Sequence, residues 1–141
     1  SSMIQTKQKH RITSKEAISF ALFVLLRRKN FSDITIGDIV ERANVSRMTF
    51  YRYFKNKEDV FVYFTDERFE EFMNTLSCTK FSVNTFTHTL LRFVDKHKPS
   101  IELLIKCGCE NLLLKQFDNY IAYIFRSAIS KNSIYINNKY I

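Results

Sequence analysis

The chain has 141 residues, a formal net charge of +8, 15% aromatic side chains including 14 Phe, and only two Gly and one Pro. So few turn formers exclude a many-stranded fold, and short polar links between helices suit the pattern better. Three Cys without framework spacing point to free thiols in a reducing compartment, and no apolar run approaches the length of a membrane span or a signal peptide. The expectation is therefore an all-α, soluble, cytoplasmic protein without a membrane partner. Charge divides sharply along the chain: residues 1–57 hold twelve basic and four acidic residues, residues 58–141 ten of each. The net charge sits wholly on the first part, which is the distribution expected of a polyanion-binding head.

In chain order, a basic arm (Gln5 to Ile12, with Lys7, Lys9 and Arg11) comes first. It reads equally as a minor-groove or backbone contact and as a loose tail. Thr13 and Glu16 have capping-box spacing and open a helix at about Ser14. Its apolar stripe is Ile18, Ala21, Leu22, Leu25 and Leu26. Arg27, Arg28 and Lys29 crowd its end, where cations suit the helix dipole, and Asn30 is suited to a left-handed exit with Phe31 folding back.

Thr35 to Lys57 is the stretch around which the chain is organised. Thr35 and Asp38 form a second cap, and Ile36, Ile39, Val40 and Ala43 make one apolar face. Asn44 tolerates the left-handed corner, Val45 plugs it, and Ser46 caps a second short helix over about Arg47 to Phe54. Phe50 and Phe54 are four apart and point inward. Arg47, Met48, Thr49, Tyr51, Arg52 and Tyr53 cannot all be buried, and together they offer cations, hydroxyls and flat apolar surface to DNA. The pair reads as a helix-turn-helix whose second helix enters the major groove.

Beyond it, Asn56 and Asp59 cap a long helix from about Lys57 to Leu76, with Asp66, Glu67, Glu70 and Glu71 facing solvent. A polar link around Cys78 precedes a helix from about Val83 to Lys96. Pro99 suits the first turn of a separate helix, roughly Ser100 to Cys107. Gly108 breaks the chain before a last helix from about Glu110 to Ser130, and the tail that follows reads ambiguously. Cys107 and Cys109 lie about 200° apart on a regular helix and cannot chelate one ion from it, so no metal and no cofactor is expected. The scattered His residues and the absence of a phosphate loop give no support to catalysis, and the chain is not expected to be an enzyme.

The stretch TIGDIVERANVSRMTFYRYFKNKEDVF resembles the DNA-binding region of the TetR/AcrR family of bacterial transcriptional regulators. The family shows an Ile-Ala-x-x-Ala-Gly-Val-Ser stretch and then Thr-(aromatic or Leu)-Tyr-x-(Tyr or His)-Phe-x-(Ser or Asn)-Lys-Glu, and two departures from it matter: Asn44 replaces a corner Gly, and Met48 stands where many members have a small residue or Pro. The resemblance implies a head over residues 1–57, comprising the arm and a three-helix DNA-binding domain. Residues 58–141 would then form a linking helix and a helical effector-binding and dimerisation domain, looking incomplete at its C-terminus. By the same resemblance Arg47 and Met48 meet base edges, Tyr51 lies over a base or sugar, and Gly37 lets backbone approach DNA. Thr35, Thr49, Arg52, Tyr53 and Lys57 are expected at phosphates.

A repressor is implied, binding a palindromic operator as a homodimer with heads about 34–36 Å apart or somewhat more. It would respond to a small effector, often apolar or cationic in such proteins, whose pocket residues the sequence does not single out. Two other classes stand beside this one. One is an architectural DNA binder with little sequence preference and a steep salt dependence; the other is a module docking on an acidic protein.

Overall fold

Local capping decides where most of the helices begin. In the computed structural model, which describes residues 11–78 and 80–140 (backbone only over 131–140), six α-helices and no strand occur among the described residues. The first, α1, spans Ser14–Leu26. Thr13 Oγ1 accepts the Glu16 N–H at 3.2 Å and Glu16 Oε2 accepts the Thr13 N–H at 3.1 Å, so two orphan donors are satisfied reciprocally. Its exit departs from expectation. Asn30 is extended (φ −66°, ψ 152°), not left-handed, and Phe31–Asp33 forms a single 3₁₀ turn. The reason is burial: Phe31 and Ile34 both enter the core, and the Phe31 N–H is taken by the Cys107 carbonyl at 2.9 Å.

Helices α2 (Ile36–Ala43) and α3 (Arg47–Tyr53) form the expected pair. Asn44 adopts φ 55°, ψ 48°. Around it the Val45 N–H reaches the Val40 carbonyl (3.1 Å) and the Asn44 N–H the Glu41 carbonyl (3.2 Å), the paired bonds of a Schellman ending. That geometry folds Val45 back against the core and sets the corner between the two helices. Phe54 lies just outside α3 in extended backbone, yet is buried as expected.

The long helix α4 runs Lys57–Ser77 from an Asn56 cap. Next, α5 spans Val83–Lys106 without interruption, with Pro99 inside it, so the expected break between two helices does not occur. Proline costs one backbone bond there, but Phe86, Leu90, Phe93, His97, Ile101 and Leu104 keep one face in register across it. Pro99 itself is exposed, and so is Asp95, whose carbonyl it leaves without a helical donor. A second Schellman ending closes α5: the Cys109 N–H binds the Leu104 carbonyl (2.8 Å) and the Gly108 N–H the Ile105 carbonyl (3.2 Å). Gly108 takes φ +83°, which a side chain would disfavour. The last helix, α6, spans Glu110–Tyr140 and takes in the described part, residues 131–140, of the stretch that reads ambiguously.

Two apolar clusters result. Ile18, Leu22, Leu26, Ile34, Ile39, Phe50 and Phe54 form the core of α1–α3. That core also takes in Val60 and Phe61 from α4 and Leu104, Cys107 and Cys109 from the α5–α6 corner. The Cys107 thiol donates to the Leu26 carbonyl at 2.7 Å. A smaller cluster around Phe72, Leu76 and Ile124 joins α4, α5 and α6 at their far ends.

Candidate nucleic-acid interface

Phe50, fully buried, and Phe54, 4% exposed, hold α3 to the core and so fix which way its other residues point. Their rings lie 5.7 Å apart. On the opposite side Met48 is 76% exposed, Tyr51 54% and Tyr53 43%, a costly display of large side chains on a helix of seven residues. Arg47 and Arg52 stand exposed among them. The surface therefore presents two guanidinium groups, two phenols and a thioether from one short rod, which is the width of object a major groove admits.

Gly37, in the first turn of α2, faces Arg47. A methyl group at position 37 would sit 3.1 Å from Arg47 Nη2, so the bare glycine leaves the lane along which the guanidinium lies. Thr35 is exposed beside it, its Oγ1 accepting the Asp38 N–H at 3.0 Å, and its N–H bonded to Asp38 Oδ2. The backbone bond from Thr35 holds the Asp38 carboxyl below its usual pKa, with Lys29, 3.0 Å away, adding to the effect. Thr49 bonds Ser46 twice, through its N–H at 3.0 Å and its hydroxyl at 2.9 Å, so it completes the cap of α3. Tyr51 leans edge-on against Phe50 at 5.4 Å and remains more than half exposed.

Lys57 is placed differently from expectation. Its ammonium turns inward, donating to the carbonyls of Phe31 and Ile34 and lying 4.5 Å over the Phe31 ring. The open end of the 3₁₀ turn offers two carbonyls, and α4's first residue reaches both. Lys57 thus ties α4 to the α1–α2 connection. The arm residues Lys7 and Lys9 lie outside the described residues, while Arg11 and Ile12 are exposed at the start of α1.

A second feature, whose lining residues the sequence did not single out, lies beyond the head. Between α4, α5 and α6 lies a cleft of about 480 Å³, walled by Phe69, Phe72, Phe86, Phe93, Ile101 and Phe117 among others. Every one of these sits on an ordinary helical stripe, indistinguishable in sequence from core. The cleft exists because the helices splay, leaving Val94, Ile105, Leu114 and Phe117 between 42% and 61% exposed. One wall is polar: Gln116 Nε2 donates to Thr65 Oγ1 and the Tyr120 hydroxyl, both at 2.9 Å, and Tyr120 donates to Asp66. Burial and then the Asp66 carboxylate push the Tyr120 phenol upward in pKa. Asp66 and Glu71, expected to face solvent only, are engaged: Glu71 pairs with Lys96 and stands 3.4 Å from His97 Nε2. The Lys96 bond holds the Glu71 carboxyl low, and burial lowers His97. Among the described residues no cluster of His, Cys, Asp and Glu is placed to hold a metal ion, and no helix is long and apolar enough to cross a membrane.

A capped helix, a left-handed corner and a short exposed helix on a basic three-helix head define a helix-turn-helix of the DNA-binding kind. Residues 20–64 match the family described as bacterial regulatory proteins, tetR family, the family that the sequence resembles. The chain is 26% identical over 115 residues to the HTH-type dhaKLM operon transcriptional activator DhaS of Lactococcus lactis subsp. lactis (strain IL1403), a match covering 80% of this chain and 61% of the relative. The chain thus spans about three fifths of that relative's length. It is 38% identical over 50 residues to the uncharacterized HTH-type transcriptional regulator YxbF of Bacillus subtilis (strain 168), over 35% of this chain and 13% of that one. Among solved structures, the dihydroxyacetone kinase operon activator DhaS superposes with a TM-score of 0.51 at 21% identity, covering 86% of this chain and 69% of that one, and shares the fold. The proteins named are regulators rather than enzymes, in keeping with the sequence expectation.

Proposed function

We propose that the protein is a sequence-specific DNA-binding transcriptional regulator whose α3 reads the major groove. The observation carrying this is the outward set Arg47, Met48, Tyr51, Arg52 and Tyr53, displayed by a helix whose other face is locked through Phe50 and Phe54. Arg47 is the group for base discrimination, running over Gly37 toward the groove. Arg52, Tyr53 and Thr35 serve phosphates, Met48 and Tyr51 pack on bases or sugar, and Thr49 contributes mainly through its cap. Lys57 acts by setting α4 against the head rather than by holding phosphate.

In this reading residues 1–57 are the DNA-binding region and residues 58–141 the linking helix with the effector and dimerisation region. The protein works in the cytoplasm as a homodimer on a palindromic operator, with two heads a helical turn or more apart. An effector enters the cleft between α4, α5 and α6 and tilts α4, releasing the operator, so control is repression relieved by ligand. The L. lactis relative is named an activator, so the sign of control is read directly in a reporter carrying the operator.

Selection from a random DNA pool tests the proposal. A two-fold symmetric site bound tightly, with non-specific DNA bound far more weakly at each of two salt concentrations, is the expected result. A pool that never converges, with binding set by salt alone, would instead identify an architectural binder.

A further inference from the structure

We infer that the cleft between α4, α5 and α6 takes an apolar, largely aromatic molecule bearing a single carboxylate, and that Arg68 is the anchor for that carboxylate. This deepens the reading of the cleft as the effector site and rests on it. The cleft volume of about 480 Å³ falls within the range of small-molecule sites, which runs from about 300 to 1,000 Å³. Its walls are ring faces and edges that suit an apolar body. Phe72 meets Phe86 and Phe93 edge-on at 6.2 and 5.6 Å, and Phe69 stacks on Tyr120 at 4.1 Å.

Charge on the walls is sparse, and it is not balanced. Apart from the Tyr120 phenol, the titratable side chains lining the cleft are Arg68, His97 and Glu110. Arg68 is partly buried on α4, its guanidinium 4.8 Å from the centre of the Phe64 ring. A ring offers no lone pair, and among the described residues Arg68 has neither a hydrogen bond nor an ion pair. Glu71, three residues on, gives its carboxylate to Lys96 instead. His97 on α5, close enough to feel the Arg68 charge, leaves Nε2 buried without a hydrogen-bond partner, although Glu71 Oε2 is 3.4 Å away. Burial holds that imidazole toward its neutral form, so His97 supplies neither a counter-ion nor a competing cation. Glu110 is exposed at the first residue of α6, where the unpaired N–H groups of the helix offset its charge. A cationic guest would meet Arg68 as a like charge, with only that offset carboxylate on the walls to pair it. A neutral guest would leave the guanidinium as it stands. A carboxylate fits its planar fork with two parallel bonds, and the partly buried setting strengthens them relative to open water.

Competition against a neutral fluorescent probe tests this with one scaffold in three charge states. N-phenylnaphthylamine, titrated into the full chain, should bind saturably at one site per chain. It should be displaced at neutral pH by 2-naphthylacetate, 2-naphthylacetamide and 2-naphthylethylammonium. The carboxylate should displace it at least about fivefold more tightly than the amide, and the ammonium more weakly than either. Arg68→Gln should bring the carboxylate down to the level of the amide and leave the amide unchanged, while Arg68→Lys should keep part of the preference. Arg92→Gln, which removes an exposed charge of α5 outside the cleft, should leave the preference whole. Val94→Trp and Ile101→Trp, two cleft positions that are not fully buried, should each weaken the neutral probe at unchanged helix content, and either suffices if the other misfolds. Equal displacement by carboxylate and amide, or a preference for the ammonium, would overturn the carboxylate inference and leave the effector cleft standing. So would a carboxylate preference that survives Arg68→Gln, or one that Arg92→Gln removes as fully. Absence of any one-to-one binding, or binding untouched by both Trp variants, would overturn the inference and the effector cleft together.

Discussion

Gly37 and Arg47 make one device from two helices, and the smaller partner can be tested without disturbing the larger. Gly37 does not adopt a positive φ, so alanine fits its conformation and should stabilise α2, by up to about 1 kcal/mol. The added methyl is tight only against the far end of the flexible Arg47 side chain, which swings aside, and lies at ordinary contact distance, 3.5 Å, from Thr35 Oγ1. Gly37→Ala is therefore expected to raise the melting temperature slightly while lowering discrimination between operator and random DNA. A variant that discriminates as well as wild type would separate the glycine from the function of Arg47.

Asp38 gives a pH prediction of definite sign. Its pKa is lowered on folding by the Thr35 backbone bond first and Lys29 second. Its contribution is thus complete above the ordinary carboxylate range and is lost as pH falls through the lowered value. Denaturant melts below about pH 4 should show Asp38→Asn losing less stability on acidification than wild type. The cysteines divide likewise. Burial first raises the Cys109 thiol to about 11, and Cys107 is buried with its thiol given to Leu26, whereas Cys78 is exposed. An aromatic disulfide reagent at neutral pH should titrate one thiol rapidly and the other two only on unfolding.

At the scale of elements, legibility follows locality. Thr13, Thr35, Ser46, Asn56 and Asn44 were readable because a cap needs only residues three or four apart. Asn30 and Lys57 were not, because what redirects them comes from afar: Phe31 gives its N–H to Cys107, and Lys57 reaches two carbonyls more than twenty residues away. Pro99 misled for a related reason. A local rule ends the helix there, but a stripe packed along α4 and α6 carries α5 through. Pro99→Ala restores a backbone donor at an exposed position and should stabilise the fold by about 1–3 kcal/mol in urea melts. A neutral or destabilising outcome would mean that the proline is favoured in place, for instance through the unfolded chain.

The molecule as a whole joins its two regions by two routes. One is α4, whose first turns belong to the head's core and whose far half lines the cleft. The other is the α5–α6 corner, where Cys107 and Cys109 sit in that same core and Leu104 touches both core and cleft. No periodicity could have revealed the cleft, since it depends on the angle between helices rather than on which residues are apolar. The charge division, by contrast, was plain in the sequence, and the exposed face of α3 lies on the basic side of it.

The central claim is that α3 reads sequence through Arg47, and the ratio of affinities for a selected operator and a scrambled duplex measures it at fixed salt. Arg47→Ala should shrink that ratio by about 1–3 kcal/mol while lowering affinity for scrambled DNA much less. An unchanged ratio, with both affinities falling together, would make Arg47 a phosphate contact and contradict the account.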